Sequence, residues 1–190
     1  ETTIQVDPFS GGTTLLKVAE APGWDPSTMV EERVWVTARD GKTQIPVTLI
    51  HGVDVRPDGT HPGWELGYGS YEVSYDPEFE TLRLPIFERG VVFAIAHIRG
   101  GGELGRAWYD DGKEAVKVNT FTDFIDVGRW MVESGWVAPG RLIAEGRSAG
   151  GLLMGAVLNM APDLYRTVIA GVPFVDALTT ILDPSLPLTV

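Results

Sequence analysis

The 190-residue sequence contains no cysteine, which removes thiol catalysis, disulfides and cysteine-type zinc sites together. It is also short of basic residues: 15 Lys and Arg stand against 26 Asp and Glu, a formal charge of -11. Nucleic acid is therefore an unsuitable partner, because phosphate binding needs clustered Lys and Arg to displace counterions. The same acidity attracts a cationic substrate or merely keeps the chain in solution, and composition alone does not separate the two. No apolar run approaches the roughly 18 to 20 residues of a membrane span, and Glu1-Thr-Thr-Ile4 lacks the basic and apolar regions of a signal peptide. No membrane is expected as a partner, and a cytoplasmic location is the working expectation. With 44% hydrophobic and 22% charged residues, the composition is that of one soluble globular domain with a sizeable core. The chain begins without methionine and closes at Leu188-Thr-Val190 without a terminal signal. It reads as a piece of something longer.

Thr3-Ile-Gln-Val6 and Thr13-Thr-Leu-Leu-Lys17 are β-type stretches separated by Asp7-Pro8 and Ser10-Gly-Gly12, the pattern of a hairpin without its sheet. Pro22-Gly23 and Asp25-Pro-Ser27 mark a linker. A new unit opens with strands over 33–38 and 45–50 around the hairpin signal Asp40-Gly41. Val91 to Ile98 is nearly all apolar, as a strand covered on both faces requires. Thr120 and Asp123 have the spacing of a capping box, and Phe121, Phe124, Ile125, Gly128, Met131 and Val132 predict a helix over about 121–134. A short strand at 142–144, an apolar helix at 152–160 and a strand at 167–170 complete an alternating order that predicts an α/β fold.

Gly146-Arg-Ser-Ala-Gly150 has the form G-x-S-x-G, in which a serine sits on a strained strand-to-helix turn with its hydroxyl exposed. Flanking glycines remove Cβ atoms where strand and helix crowd together. The helix N-terminus that follows offers backbone N–H groups to an oxyanion. With 23 glycines in the chain, the motif by itself is a modest signal, but its place between the strand at 142–144 and the helix at 152–160 meets the structural requirement. Ser148 is the candidate nucleophile.

Several further segments occur in order: Gly67-Tyr-Gly-Ser-Tyr71, His97-Ile-Arg-Gly-Gly-Gly-Glu-Leu-Gly105, Trp108-Tyr-Asp-Asp-Gly112, Asn119-Thr-Phe-Thr-Asp123, Gly146-Arg-Ser-Ala-Gly-Gly151 and Val172-Pro-Phe-Val-Asp176. Together with Pro22-Gly-Trp-Asp-Pro26, Ala38-Arg-Asp-Gly41 and Ile181 to Thr189, they make nearly the whole chain resemble the oligopeptidase B branch of the prolyl oligopeptidase family of serine peptidases. The resemblance implies the N-terminal part of an α/β-hydrolase catalytic domain over residues 31–190. Before it would stand a linker at 18–30 and, at 1–17, the last strands of a β-propeller.

That family uses Ser, Asp and His in this chain order. Only Ser148 has a match. His51, His61 and His97 all precede it; His97 is expected to be a packed strand residue and the other two to lie at the surface or in turns. Asp163, Asp176 and Asp183 follow the serine in segments that match other parts of the family. A complete triad is therefore not expected, and the chain alone should be inactive.

The resemblance also implies that the Tyr68 hydroxyl and the Ala149 N–H form the oxyanion hole. A packed aromatic at a strand end is the competing reading of Tyr68. Upstream, Gly63-Trp-Glu-Leu66 departs from the family's apolar strand, and its carboxylate and glycine should require a bulge or a solvated edge. Arg147 replaces a small residue and either crowds the turn or reaches solvent.

The implied activity is cleavage of short peptides after Arg or Lys. Asp76 and Glu78 match an acidic pair that favours a second basic side chain; the competing reading, compatible with the first, is that Asp76 caps a helix with Pro77 at its first position. Phe174 either lines the primary pocket or packs in the core. Arg99 and Glu103, flanking three glycines, are read as a structural ion pair holding the active-site loop. No metal or organic cofactor is implied. The implied partners are short basic peptides and the remainder of the protein's own catalytic domain. The alternatives are an inert fragment, a subunit that needs a complementary chain, and a relative with esterase or acylaminoacyl-peptidase activity.

Overall fold

A computed structural model describes residues 2–186; Pro187 to Val190, the end of the last family-like segment, lie outside them. Strands β1 (Thr2–Val6) and β2 (Thr13–Val18) pair antiparallel in a sheet of their own. The turn between them is held by the Asp7 carboxylate, which accepts the Phe9 N–H at 2.8 Å. Every residue of both strands is exposed. Between β2 and the main sheet, Asp25 accepts the Ser27 N–H at 2.9 Å and opens a single 3-10 turn at Pro26–Thr28.

The main sheet contains β3 (Met29–Thr37), β4 (Gln44–Gly52), β5 (Gly63–Gly67), β6 (Val92–Ala96), β7 (Leu142–Arg147) and β8 (Thr167–Gly171), in the order β3-β4-β6-β5-β7-β8. The β3–β4 and β4–β6 pairs are antiparallel, and β6, β5, β7 and β8 run parallel. Helices α1 (Leu84–Phe87), α2 (Arg106–Asp110), α3 (Val118–Glu133), α4 (Ala149–Met160) and α5 (Ala177–Leu182) complete the chain.

Alternation along the strands divides the core. Val92, Ala94 and Ala96 of β6, with Leu142 and Ala144 of β7, face Phe124, Ile125 and Met131 of α3 and Leu153, Met154 and Val157 of α4. Phe93, Ile95 and Leu66 point the other way, toward Ile86 and Phe87 of α1. Burying Phe124 completely contributes roughly 1.5–3 kcal/mol. Its ring lies so close to β5 that a Cβ on Gly67 would come within 2.7 Å of it. The glycine lets helix and sheet approach.

Three expectations are corrected. Helix α3 starts at Val118, and Thr120 and Asp123 do not form a capping box. Both lie inside the helix and are buried: Thr120 donates to the carbonyls of Arg99 (2.7 Å) and Gly112 (3.0 Å), and Asp123 binds Arg99. His51 is buried in β4 rather than at the surface, its ring 4.8 Å from that of Trp136.

The third concerns β5, which neither bulges nor meets solvent at Glu65. The strand pairs in regular register on both sides, and the Glu65 side chain is fully buried. Burial pushes its pKa well above the usual carboxylate range, only partly opposed by the Tyr165 hydroxyl, which donates to Oε2 at 3.3 Å. A buried carboxyl whose charged form is disfavoured thus replaces the expected distortion. Because the folded pKa is raised, this group's contribution to stability is fully present below its unfolded pKa of about 4.3. It is lost as pH rises through the folded value. Glu65→Gln keeps an acceptor for Tyr165 and cannot ionise. Its denaturation midpoint is expected to change less between pH 5 and pH 8 than that of the parent protein. An identical pH dependence in the two would refute the assignment.

Candidate active site

Ser148 is the single residue between β7 and α4, with φ 57° and ψ -113°. A non-glycine residue in such a region costs about 1–3 kcal/mol unless its surroundings over-determine it. Here the Ser148 N–H donates to Gly171 O of β8 at 2.9 Å. Its carbonyl accepts from the N–H groups of Gly151 (2.8 Å), Leu152 (3.3 Å) and Phe174 (3.2 Å). A Cβ on Gly146 would come within 2.2 Å of Gly150 O, and one on Gly150 within 2.8 Å of Gly67 O. The glycines are required by contact with backbone. Ser148 is exposed, whereas Ala149 is buried at the first position of α4, where an N–H has no intrahelical acceptor.

Sheet order brings the other candidates to the serine. Strand β5 lies beside β7, and β8 lies on the other side of β7, all parallel. Tyr68, Ser148 and the segment leading to Phe174 therefore leave the carboxyl ends of three adjacent strands. The Tyr68 ring stacks on Tyr75, with centroids 5.3 Å apart and planes at 16°. Its edge lies 3.4 Å from the position a Gly150 Cβ would take, so it packs against the first turn of α4, two residues after Ser148. Burial, and then the neighbouring phenols of Tyr71 and Tyr75, raise the Tyr68 pKa. The phenol remains a proton donor near neutral pH. Phe174 is half-buried, and its backbone is tied to Ser148. Arg147 is exposed and reaches solvent rather than crowding the turn.

Asp76 and Glu78 are exposed. The helix-capping reading of Asp76 fails, because no helix starts at Pro77 and the next regular turn is the 3-10 segment Thr81–Arg83. Glu78 instead lines an open groove of about 670 Å³ with Trp24, Met29, Ile50, Pro77 and Phe87. Asp76 is not part of its lining, and neither are Ser148, Tyr68 or Phe174.

The loop after β6 is also held differently from expectation. Arg99 pairs with Asp123 rather than with Glu103: Nη2 meets Oδ1 at 2.5 Å and Nε meets Oδ2 at 2.8 Å. Asp40 is 3.6 Å away. Glu103 turns back under the loop, where Oε1 accepts the Tyr75 N–H at 3.1 Å and lies 3.4 Å from His97 Nδ1. The other nitrogen of His97 is 2.9 Å from the Thr48 hydroxyl, so His97 is a packed residue, as expected. His61 lies 3.7 Å from Asp58 in a loop. Asp123 was visible in the sequence as a helix signal and as the end of the Asn119–Asp123 segment, with nothing to mark it as the partner of Arg99. Lys117, which reaches the Gly69 carbonyl and the Ser70 hydroxyl, had no signal at all.

A model of the prolyl oligopeptidase family matches residues 77–190, more than half of the chain. The chain belongs to the prolyl oligopeptidase family. Among the relatives within this family, Dipeptidyl aminopeptidase BI of Pseudoxanthomonas mexicana is 55% identical over 188 residues, covering 99% of this chain and 26% of its own. Protease 2 of Moraxella lacunata is 43% identical, covering 100% of this chain and 27% of its own. The solved structure of oligopeptidase B from Leishmania major superposes with a TM-score of 0.93 at 49% identity, across 99% of this chain and 26% of that one. The chain thus spans about a quarter of the length of the relatives it matches. The sheet and its helices correspond to the N-terminal part of the α/β-hydrolase catalytic domain of the prolyl oligopeptidase family. Among the described residues, no helix is long and apolar enough to cross a membrane.

Proposed function

We propose that the complete protein is a serine peptidase of the oligopeptidase B type, cleaving short peptides after Arg or Lys. The observation that carries this reading is the strained Ser148 turn with Tyr68, at the end of the adjacent strand, packed against the start of the helix that follows it. In the proposed reaction Ser148 Oγ attacks the scissile carbonyl while a histidine outside these residues takes its proton. The carbonyl oxygen becomes an oxyanion that accepts hydrogen bonds from the Tyr68 hydroxyl and the Ala149 N–H, at the positive end of α4. Collapse expels the amine, which takes the proton, and leaves an acyl-serine that water then hydrolyses. Phe174 lines the primary pocket, and Asp76 and Glu78 attract a second basic side chain. Residues 1–17 are in this reading the end of a propeller, 18–30 a linker and 31–190 peptidase domain; the isolated β1–β2 hairpin, exposed on all sides, supports that division. A cytoplasmic site of action belongs to the same proposal and is checked by cell fractionation.

A panel of chromogenic peptides tests it in the complete protein: Arg and Lys before the scissile bond should exceed Pro and Ala in kcat/KM by about a hundredfold or more, some 2.7 kcal/mol. Equal rates would refute the specificity. The 55% identity to Dipeptidyl aminopeptidase BI favours a second reading, an aminopeptidase-type activity. Blocking the substrate's N-terminus would abolish that activity and leave an oligopeptidase unaffected.

Neutralising the acidic pair (Asp76→Asn with Glu78→Gln) should lower kcat/KM for Arg-Arg substrates roughly tenfold, some 1.4 kcal/mol, and for single-Arg substrates much less. Added salt should narrow the difference, because both carboxylates are exposed. Equal losses on the two substrate types would rule out the pair's role.

A further inference from the structure

Lys117 stands at the N-cap of α3, part-buried, in a place where a cation has little to favour it. A helix N-terminus disfavours positive charge, and burial brings the Lys117 pKa down to about 8, with no ion pair to a carboxylate among the described residues to hold it up. What the side chain does have is two acceptors. Its Nζ donates to the Gly69 carbonyl and, at 2.8 Å, to the Ser70 hydroxyl. Both belong to the turn immediately after Tyr68.

That turn is constrained on its other sides as well. Gly69 has φ 64°, and a Cβ on it would come within 2.4 Å of Thr120 and 2.8 Å of Ile98. The turn is pressed against α3 and the start of the loop after β6, and Lys117 fixes its carbonyl from the side of α3. Beyond the turn, Glu103 holds the backbone of Tyr75, whose ring stacks on Tyr68. The tyrosine is thus gripped from both ends of its loop. A displacement of the phenol by even 1 Å would cost an oxyanion hole much of its effect.

We propose that Lys117 is a positioning residue for the Tyr68 hydroxyl, holding the Gly69–Ser70 turn so that the phenol meets the developing oxyanion. This rests on the reading of Tyr68 as an oxyanion donor, and a double-mutant cycle in the complete enzyme separates the two. Lys117→Met should lower kcat on an Arg-based peptide about 10- to 100-fold while KM changes less than about threefold, because the interaction is made in the transition state. Tyr68→Phe should lower kcat by a comparable factor. In the Tyr68→Phe background, Lys117→Met should cost less than about threefold more, since there is no hydroxyl left to position. Losses that multiply in full would mean that Lys117 supports the fold generally and would overturn the proposal, as would an undiminished Lys117→Met beside an impaired Tyr68→Phe. An unimpaired Tyr68→Phe would overturn the reading of Tyr68 and the proposal with it. If Lys117→Met does not fold, Ser70→Ala, which removes one of the two acceptors, enters the same cycle. A loss of about threefold is expected, absent when Tyr68 is Phe; no loss, or one that persists in that background, would overturn the proposal.

Discussion

Replacing Ser148 by alanine in the complete protein is expected to lower kcat/KM on an Arg-based chromogenic peptide by roughly 10⁴- to 10⁶-fold, with loss of phosphonate labelling. The physical basis is the absence of a substitute nucleophile. With no cysteine in the chain, nothing at the end of β7 can form the acyl intermediate once the hydroxyl is gone. The variant should fold as the parent does. Alanine is also an L-residue with a Cβ, so it meets the φ of 57° at a cost close to that of serine, and the hydrogen bonds that hold the turn are all backbone. A residual rate above that in water is expected, since the oxyanion donors remain. Melting temperature and kinetics should be measured on the same sample. An unchanged melting temperature with undiminished hydrolysis would exclude Ser148 as the nucleophile, whereas a large fall in melting temperature would transfer the loss to folding.

The 190 residues purified alone should hydrolyse the same peptide no faster than their own Ser148→Ala variant. Without an imidazole to accept its proton, a serine hydroxyl is a weak nucleophile near neutral pH. All three histidines are engaged elsewhere: His51 against Trp136, His61 beside Asp58 and His97 between Thr48 and Glu103. The isolated chain should also associate. Val172, Val175, Leu178, Ile181 and Leu182 are exposed beyond β8, and Ile4, Val6, Leu15 and Leu16 on the hairpin. Such surface drives aggregation when it is left uncovered. Gel filtration and hydrolysis by the same preparation check both statements. Turnover by the isolated chain that disappears in Ser148→Ala would show that these residues contain a general base after all.

Much of the fold could be read before the structure because its signals are local. The apolar run around Val92–Ala96, the helical spacing from Phe124 to Met131 and the glycine-flanked serine each reflect neighbours within a few residues along the chain. The errors share the opposite property. Thr120 and Asp123 have capping-box spacing, but their side chains turn inward to the Arg99 carbonyl and guanidinium, more than twenty positions away in sequence. Asp76-Pro77 has the local form of a helix start, yet the chain there follows the groove beside Trp24 and Phe87 instead. Glu65 was expected to need a bulge or a solvated edge, since nothing nearby in sequence announces Tyr165, one hundred residues later.

By itself the sequence determined the strand-serine-helix turn, because its steric demands are met by consecutive residues: Gly146 and Gly150 clear the backbone, and Ser148 is left at the only link between β7 and α4. Tertiary structure alone decided what stands around that serine. The order β6-β5-β7-β8 makes Tyr68, Ser148 and Phe174 leave neighbouring strand ends. Long-range packing directs Arg99 to Asp123, Glu103 to Tyr75 and Lys117 to the turn after Tyr68. Those partnerships depend on desolvation and on which polar groups are buried together. Both arise only when the sheet and α3 close on each other, so neither can be assigned from residue type or spacing.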